Sequence, residues 1–408
     1  MHLSSAGTET AREMIRVRRG VTESRRRRRI WPFAAVVLVA LLAPALYSYV
    51  TTMAEPSSLP LGVRSVEWLR NHHGNWLVDE VERVYYGHLV APKKGGPQLR
   101  VLPAVGVREA AAPVGRRRRT HRHVRGLSWP PRVRSIFPHP LPREGVWTRT
   151  GPLVDGRPPV LVTTFRTDIE YPRIVAYVAW FDHARTALAF YPGRYEPPNA
   201  PVRGPMSVPS AQRWRLLATF NGGFTYIDGH NGSSINGLSY EPLKDGLATL
   251  VGYRDGRVDI ETWHGGANAG RNVAFARQSL PLIIDRGRLN PALNDSSQWG
   301  FTLGNAVRVW RTGVGIDRRG NLIYAAADDQ TVITLARILQ RAGAVRAMQF
   351  DINPEWPTLI TYFHYHGLVP VKVVPNNQQP ATRYLVPDDR DFFAVYRRLP
   401  GPVTVPFK

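Results

Sequence analysis

Four short stretches of the chain bring together residue types that can do chemistry. In Phe220-Asn221-Gly222-Gly223-Phe224, two glycines at the end of an apolar run allow a tight turn that presents N–H groups to an anion or ligand. The same pattern also serves as a plain turn. In Trp310-Arg311-Thr312-Gly313-Val314-Gly315-Ile316-Asp317, an arginine among apolar strand residues, followed by a hydroxyl, suits bidentate binding of a phosphate. An edge-strand arginine in a surface ion pair fits equally well. In Phe350-Asp351-Ile352-Asn353-Pro354-Glu355-Trp356, Asp351 follows a strand, where open sheets place ligand groups, and Glu355 supplies a second carboxyl. Glycosidic cleavage commonly uses two carboxyls, one protonated and one ionised. The plainer role for Asp351 is to cap a turn or helix. In Tyr362-Phe363-His364-Tyr365-His366, a strand points His364 and His366 to one face. Two histidines fall short of a metal site, and structural roles fit them as well.

Positioning these groups takes a scaffold that is mostly strand. Short apolar runs bounded by turn signals predict strands at 159–165, 174–181, 187–190, 216–220, 247–253, 258–262, 282–284, 307–310, 322–326 and 347–350. Asp255-Gly256 and Arg319-Gly320-Asn321 predict turns between them. Thr331–Ala342 is the clearest helix, with Val332, Leu335, Ala336, Ile338 and Leu339 on one face and Gly343 at the position that ends it. Strand 322–326, this helix and strand 347–350 predict a local β-α-β unit. The fold class is therefore α+β (mixed α/β) around a large β-sheet core.

The domain so defined runs over 146–408, and the residues before it differ in kind. The formal net charge is +23 over 408 residues. Residues 1–30 hold nine arginines against three glutamates, and 91–145 hold thirteen Lys/Arg against two glutamates, so the basicity belongs largely to these segments. Residues 30–50, IWPFAAVVLVALLAPALYSYV, carry no charge over about 20 residues, the length that crosses a bilayer. Trp31, Tyr47 and Tyr49 flank the run, and Arg25 to Arg29 precede it. These features predict a basic cytoplasmic tail at 1–29, a single transmembrane helix at 30–50 and an extracytoplasmic remainder. A cleaved signal peptide is the rival reading. Residues 51–90 predict a helical stem, with Leu61, Val66, Trp68, Leu69, Trp76, Leu77, Val81, Val84 and Tyr85 near helical spacing. Residues 91–145, rich in Pro, Gly and Arg and including Arg116 to Arg119, His121 and His123, read as a linker or loop. With no cysteine in the chain, a disulfide scaffold, thiol catalysis and cysteine metal sites are excluded.

In their order, the clusters resemble the phosphodiester glycosidase family, whose members cleave a sugar from a sugar phosphodiester. The resemblance rests on FNGGF at 220–224, PLIIDRGRL at 281–289, RTGVGID at 311–317 and ILQRAGAVRAMQFD ending on Asp351, and it covers about residues 160–365. It implies a cell-envelope hydrolase acting on a phosphorylated glycan or wall polymer. Asp351 and Glu355 are then the catalytic carboxyls, and Asn221, Gly222, Gly223, Arg311, Thr312 and Asn353 the substrate-binding residues. No cofactor is required, a divalent metal is compatible but undemanded, and no nucleic-acid partner is expected. The family usually continues after the aspartate with Asp-Gly-Gly-Gly-Ser-Ser, whereas Asp351 is followed by INPEW. Asn353 stands where a glycine would be and Glu355 where a serine would be, and the two are the candidates to substitute for that glycine-rich stretch. The departure leaves a second reading, a catalytically inactive module of the same fold that binds glycan or wall polymer. The basic, Pro/Arg-rich, cysteine-free make-up is similar to that of actinobacterial envelope proteins.

Overall fold

Apolar runs rich in β-branched and aromatic residues form strands because their side chains fill a pleated, half-buried surface. Among the described residues eighteen strands gather into three sheets, and every pairing there is antiparallel. The computed structural model describes residues 36–81 and 129–399, apart from 38, 58, 75, 79, 230, 296–297, 301–307 and 377–378, together with 94–95 and 99–106. The predicted basic tail, Arg116 to Arg119, His121, His123, Val84 and Tyr85 lie outside the described residues.

The largest sheet has the order β1 (Thr148–Thr150), β2 (Val160–Arg166), β3 (Val175–Phe181), β14 (Leu322–Gln330), β13 (Val309–Asp317), β15 (Ala344–Gln349), β11 (Ile284–Asp285), β12 (Arg288–Leu289). A second sheet has the order β7 (Leu238–Glu241), β6 (Ser233–Ile235), β10 (Val273–Gln278), β8 (Ala248–Tyr253), β9 (Val258–Thr262). The third has the order β17 (Leu368–Lys372), β16 (Leu359–His364), β5 (Leu216–Asn221), β18 (Phe392–Arg397), β4 (Thr186–Tyr191). One apolar core joins them. Phe393 of β18 sits among Phe190, Phe220, Phe275 and Phe350, with ring centroids 5.0–5.9 Å away, so all three sheets reach one aromatic cluster.

The other face of the large sheet is covered by a helix, α3 (Val332–Arg341), following α1 (Leu61–Asn71) and the short α2 (Tyr226–Gly229). Thr331 and Thr334 cap α3 reciprocally, each hydroxyl accepting from the other's backbone N–H. The predicted face, Val332, Leu335, Ala336, Ile338 and Leu339, is buried, and Gly343 takes φ +107° at the end. The expected β-α-β unit is present with an insertion. β13 lies between β14 and β15 and is antiparallel to both, so the two parallel strands never touch. Glycines on β13 let α3 close on the sheet. A Cβ on Gly313 would lie 2.8 Å from Met348 O and 3.2–3.3 Å from the Leu339 and Leu335 side chains. Local propensity had placed a strand only at 307–310; this packing explains why β13 continues through Arg-Thr-Gly-Val-Gly-Ile-Asp.

Two features precede the sheets. Residues 39–54 are helical, with Val39, Leu41, Leu42, Leu46, Tyr47 and Val50 all exposed. Among the described residues no helix is long and apolar enough to cross a membrane; the span expected at 30–50 falls in part on 30–35 and 38, outside the described residues. In the stem, α1 reverses the usual amphipathic arrangement. It buries Arg64 and Glu67 and leaves Leu61 64% exposed, so its inward face is charged rather than the apolar stripe the spacing suggested.

Packing on the domain begins before residue 146. Glu144 and Arg166 of β2 form a fully buried ion pair, Arg166 Nη2 to Glu144 Oε2 2.9 Å and Nε to Oε1 3.0 Å. Burial pushes the Glu144 carboxyl up, but Arg166 and the N–H groups of Leu141 and Arg166 outweigh it and bring it from 4.5 to about 2. Glu144→Gln strands a buried guanidinium and should cost about 3–5 kcal/mol in urea unfolding at pH 7. Because the folded value is depressed, the pair stabilises the fold above pH 4.5 and loses that contribution as pH falls toward 2. The gap between wild type and variant should narrow over that same window.

Candidate active site

Asp351 is delivered by β15. Phe350 is anchored in the aromatic core, and its N–H donates to Thr312 O at 2.8 Å. Thr312 returns two bonds: its N and its Oγ1 each donate to Asp351 O at 3.0 Å. Asn221, at the end of β5, donates from Nδ2 to Thr312 Oγ1 at 3.1 Å and to Gly222 O at 2.8 Å, and its Oδ1 accepts from Tyr324 Oη at 2.7 Å and Thr358 N at 3.1 Å. Three predicted residues, Asn221, Thr312 and Asp351, thus form one buried chain of hydrogen bonds. Asn221 and Thr312 spend their polar atoms inside the protein and hold the backbone of Asp351.

The Asp351 carboxyl meets Arg390, Oδ2 to Nη2 2.9 Å, with both residues buried. Its Oδ1 accepts from Asn353 N at 2.9 Å, and Asn353 Oδ1 accepts in turn from Glu355 N at 2.9 Å. Two successive side-chain-to-backbone turns therefore shape the INPEW loop. Burial pushes the Asp351 carboxyl above its ordinary value, while Arg390 and the Asn353 N–H pull it down. Arg390 lies over the Trp356 ring at 4.7 Å. Glu355 is half-buried, its carbonyl accepting from Gln379 Nε2 at 2.8 Å.

Arg390 belongs to a run that sequence reasoning missed. Asp388, Asp389, Arg390 and Asp391 are all buried, immediately before β18, and each pairs with a different element. Asp388 takes a bidentate pair from Arg383 at 2.8 and 3.1 Å, and Asp389 meets Arg194 at 2.8 Å. Asp391 meets Arg277 of β10 at 2.5 Å and accepts from Tyr226 Oη at 3.1 Å. Arg277 also donates to Phe224 O and Asn231 Oδ1, both at 2.6 Å. The signal available was four consecutive charges abutting the apolar Phe392-Phe393, which a solvated loop has no reason to do. Glu196 was missed for want of any motif. It is buried, and its Oε2 accepts from Tyr226 N at 3.2 Å.

The glycine turn sits against this cluster. Gly222 N donates to Asp391 O at 3.1 Å, and a Cβ on Gly222 would fall 2.1 Å from Asp391 Oδ1. Gly223 is roomier, with Phe350 and Ser279 at ordinary contact distance. Arg311 is placed apart. Strand alternation turns it with Gly313 toward the α3 side, where it donates to Gln330 O at 3.0 Å, Gln349 Oε1 at 2.9 Å and Trp299 O at 3.3 Å. All three acceptors are neutral, and burial lowers Arg311 to about 10. His364 ends β16, its Nε2 2.8 Å from Leu216 O, whereas His366 lies beyond the strand at φ +51°. Among the described residues no group of three or more His, Asp or Glu is arranged to hold a metal. Pro281, Leu282, Asp285, Arg286, Arg288 and Leu289 help line a surface groove of about 730 Å³. It lies beside the β11–β12 hairpin, whose tip approaches the start of β15 rather than the Asp351 end.

Residues 215–351, from the start of β5 to the site aspartate, match the sequence profile of the phosphodiester glycosidase family, NAGPA. Over these residues, about a third of its length, the chain is similar to the phosphodiester glycosidase family. No curated protein sequence matches it. Among solved structures, it is similar to the catalytic domain of zebrafish N-acetylglucosamine-1-phosphodiester alpha-N-acetylglucosaminidase, auto-inhibited by its pro-peptide. That likeness is 14% identity and a TM-score of 0.41, over 61% of this chain and 87% of that one. It is also similar to a Synechocystis protein described as hypothetical, with 13% identity and a TM-score of 0.33, over 62% of this chain and 63% of that one. The phosphodiester glycosidase match stops at Asp351, so Glu196, Arg383 and the run 388–391 all lie outside it.

Gly222→Ala should force Asp391 from its place, because the added carbon meets a carboxylate already fixed by Arg277 and Tyr226. The expected cost is about 1–3 kcal/mol in denaturant unfolding. Gly223→Ala, with room for its methyl, should stay within about 1 kcal/mol of wild type in the same measurement.

Proposed function

We propose that this chain is a cell-envelope hydrolase that cleaves a sugar from a sugar-1-phosphodiester, with Asp351 as its central catalytic group. The observation that carries the reading is the buried Asp351–Arg390 pair at the end of β15, held by Asn221 and Thr312. A carboxylate fixed to within a rotamer by backbone and counter-ion is preorganised to act as nucleophile or base on an anomeric carbon. The substrate's phosphate brings one negative charge, and Arg390 is the guanidinium beside the reacting group that meets it. Arg390 thereby takes the role the sequence gave to Arg311, whose donors serve neutral acceptors on the α3 side. A phosphomonoester is a good leaving group, so much of the barrier falls to positioning and electrostatics.

The location belongs to the proposal too. The exposed apolar side chains of 39–54, behind the arginines at 25–29, support a single-pass anchor with a cytoplasmic N-terminus. The phosphorylated substrate is then a glycan or wall polymer outside the membrane. In a cell fractionation, the full chain should pellet with membranes and withstand a salt wash, and a chain lacking residues 1–50 should not.

Turnover decides between an enzyme and a module that only binds. The full chain in detergent should release free sugar from at least one member of a sugar-1-phosphodiester panel. Asp351→Asn should lower kcat at least about 1000-fold while leaving the far-ultraviolet circular dichroism spectrum unchanged. Asp351→Asn turning over at the wild-type rate would exclude the role given to Asp351. Binding of the panel without turnover would favour the inactive module, for which the tightly turned INPEW loop is the structural argument.

A further inference from the structure

A buried cluster of charges tends toward pairing, because an ion out of water without a counter-ion is costly. Around the site, four guanidinium groups meet four carboxylates: Arg194 with Asp389, Arg277 with Asp391, Arg383 with Asp388 and Arg390 with Asp351. Glu196 is a fifth buried carboxyl, and none of these arginines bonds it. Among the described residues its side chain takes one hydrogen bond, from Tyr226 N at 3.2 Å.

Its position is fixed by backbone. Arg194 N donates to Asp388 O at 2.9 Å, Tyr195 N to Asp389 O at 3.1 Å, and Glu196 N to Asp389 O at 3.3 Å. This ladder lays residues 194–196 beside the segment 388–390 that precedes β18. Gly193 closes the fit: its N donates to Glu196 O at 2.7 Å, and a Cβ on it would meet the Arg390 backbone at 2.5 Å. Glu196 therefore lies in the neighbourhood of Arg390, and the two groups attract each other.

We propose that Glu196 is the proton donor of the site and that Asp351 and Glu196, rather than Asp351 and Glu355, form its pair of carboxyls. This role rests on the hydrolase reading above. A water oxygen attacks the anomeric carbon and gives its proton to the Asp351 carboxylate. The bond from that carbon to the phosphate oxygen breaks, its electron pair goes to the oxygen, and the oxygen takes the Glu196 proton. The products are the free sugar and a phosphomonoester monoanion. Glu196 is left as carboxylate and Asp351 as acid, and proton exchange with water restores both.

The proton matters because the charged groups of the site are buried. A phosphomonoester has a second ionisation near pH 6, so departure without a proton leaves a dianion in a cluster whose charges already balance. Donation from Glu196 keeps the leaving group singly charged. Burial outweighs the neighbouring cations in favouring the protonated state of Glu196. Burial pushes its carboxyl up to about 7 and Asp391 adds to this, while Arg390, the Tyr226 N–H and Arg277 pull it down and Arg203 also interacts with it. A bound phosphodiester anion adds a further push upward.

The test is the pH–rate profile of the full chain in detergent, wild type and Glu196→Gln, on the panel member that wild type hydrolyses best. Wild-type kcat should fall as pH rises past about 7, the value to which burial brings Glu196. Glu196→Gln should lose roughly 100-fold or more in kcat with KM within a few-fold, and its profile should lack the alkaline fall. A 2,4-dinitrophenyl glycoside of the same sugar, whose leaving group needs no proton, should lose less than tenfold where wild type hydrolyses it. Should Glu196→Gln not fold by thermal unfolding, the wild-type profile decides, and a kcat level from pH 6 to 9 overturns the role. Wild-type turnover with an unimpaired Glu196→Gln overturns this role alone. Absence of wild-type turnover on the whole panel overturns the hydrolase reading and this role with it.

Discussion

Four consecutive charged residues buried ahead of a core strand are the constraint on which the site depends. Taking Asp388, Asp389, Arg390 and Asp391 out of water costs several kcal/mol per ion. That cost is offset only if each finds a partner with good geometry, and each partner lies on a different part of the chain: Arg383, Arg194, Asp351 and Arg277. Phe392 and Phe393 follow immediately and are themselves fixed in two different aromatic clusters. The run therefore cannot slide. Its register is set by the core on one side, and it sets in turn the positions of β10, the end of β15 and the 193–196 segment. Replacing one such pair by apolar groups of equal size could well be neutral for stability. What it would remove is the coincidence of these elements at one place.

The glycosidase motifs acquire physical meaning in this frame. Asn221, Gly222 and Thr312 act mainly on backbone: Asn221 and Thr312 through the hydrogen-bond chain to Asp351 O, and Gly222 through the absence of a side chain where Asp391 comes close. Gly313 and Gly315 belong to the same motif as Arg311, yet their contact is with α3, β15 and its neighbours. A sequence motif is a record of everything a stretch must do, packing included. Reading Arg311 and Thr312 as phosphate-binding residues leaves out the packing that Gly313 and Gly315 of the same strand provide.

Local patterning made much of the scaffold legible. Strands β2, β3, β8 and β9 fall within two residues of their predicted bounds, and α3 with its cap and its terminating glycine is as the 3.6-residue period demanded. What could not be read was long-range. The insertion of β13 between β14 and β15 depends on pairing across the sheet, which periodicity does not encode. Glu196 and Arg390 are 194 residues apart in number and carry no spacing signal. The α1 segment misled for a related reason. Its apolar residues follow a helical period, but Arg64 turns inward to the backbone carbonyls of Thr52 and Met53, and Glu67 is buried with it. Periodicity reports a helix correctly and reports its buried face only when the partner surface is apolar.

The loop after Asp351 shows how one constraint redirects another. In the family pattern the aspartate leads into glycines, whose free N–H groups can cradle an anion. Here the N–H groups of Asn353 and Glu355 are taken by the Asp351 and Asn353 side chains. The turn is made by side chains bonding to backbone instead of by glycine flexibility, so it is stiffer but has fewer donors to offer. An anion at this position must then find its positive charge elsewhere, and the nearest fixed one is Arg390, stacked on Trp356 and already paired with Asp351. Binding an anion to a pair that is itself neutral leaves one negative charge uncompensated within the cluster. The carboxyl with no arginine of its own, Glu196, is where that excess is most easily relieved, by holding its proton. The replacement of glycines by INPEW and the protonation demanded of Glu196 are thus linked through the same guanidinium.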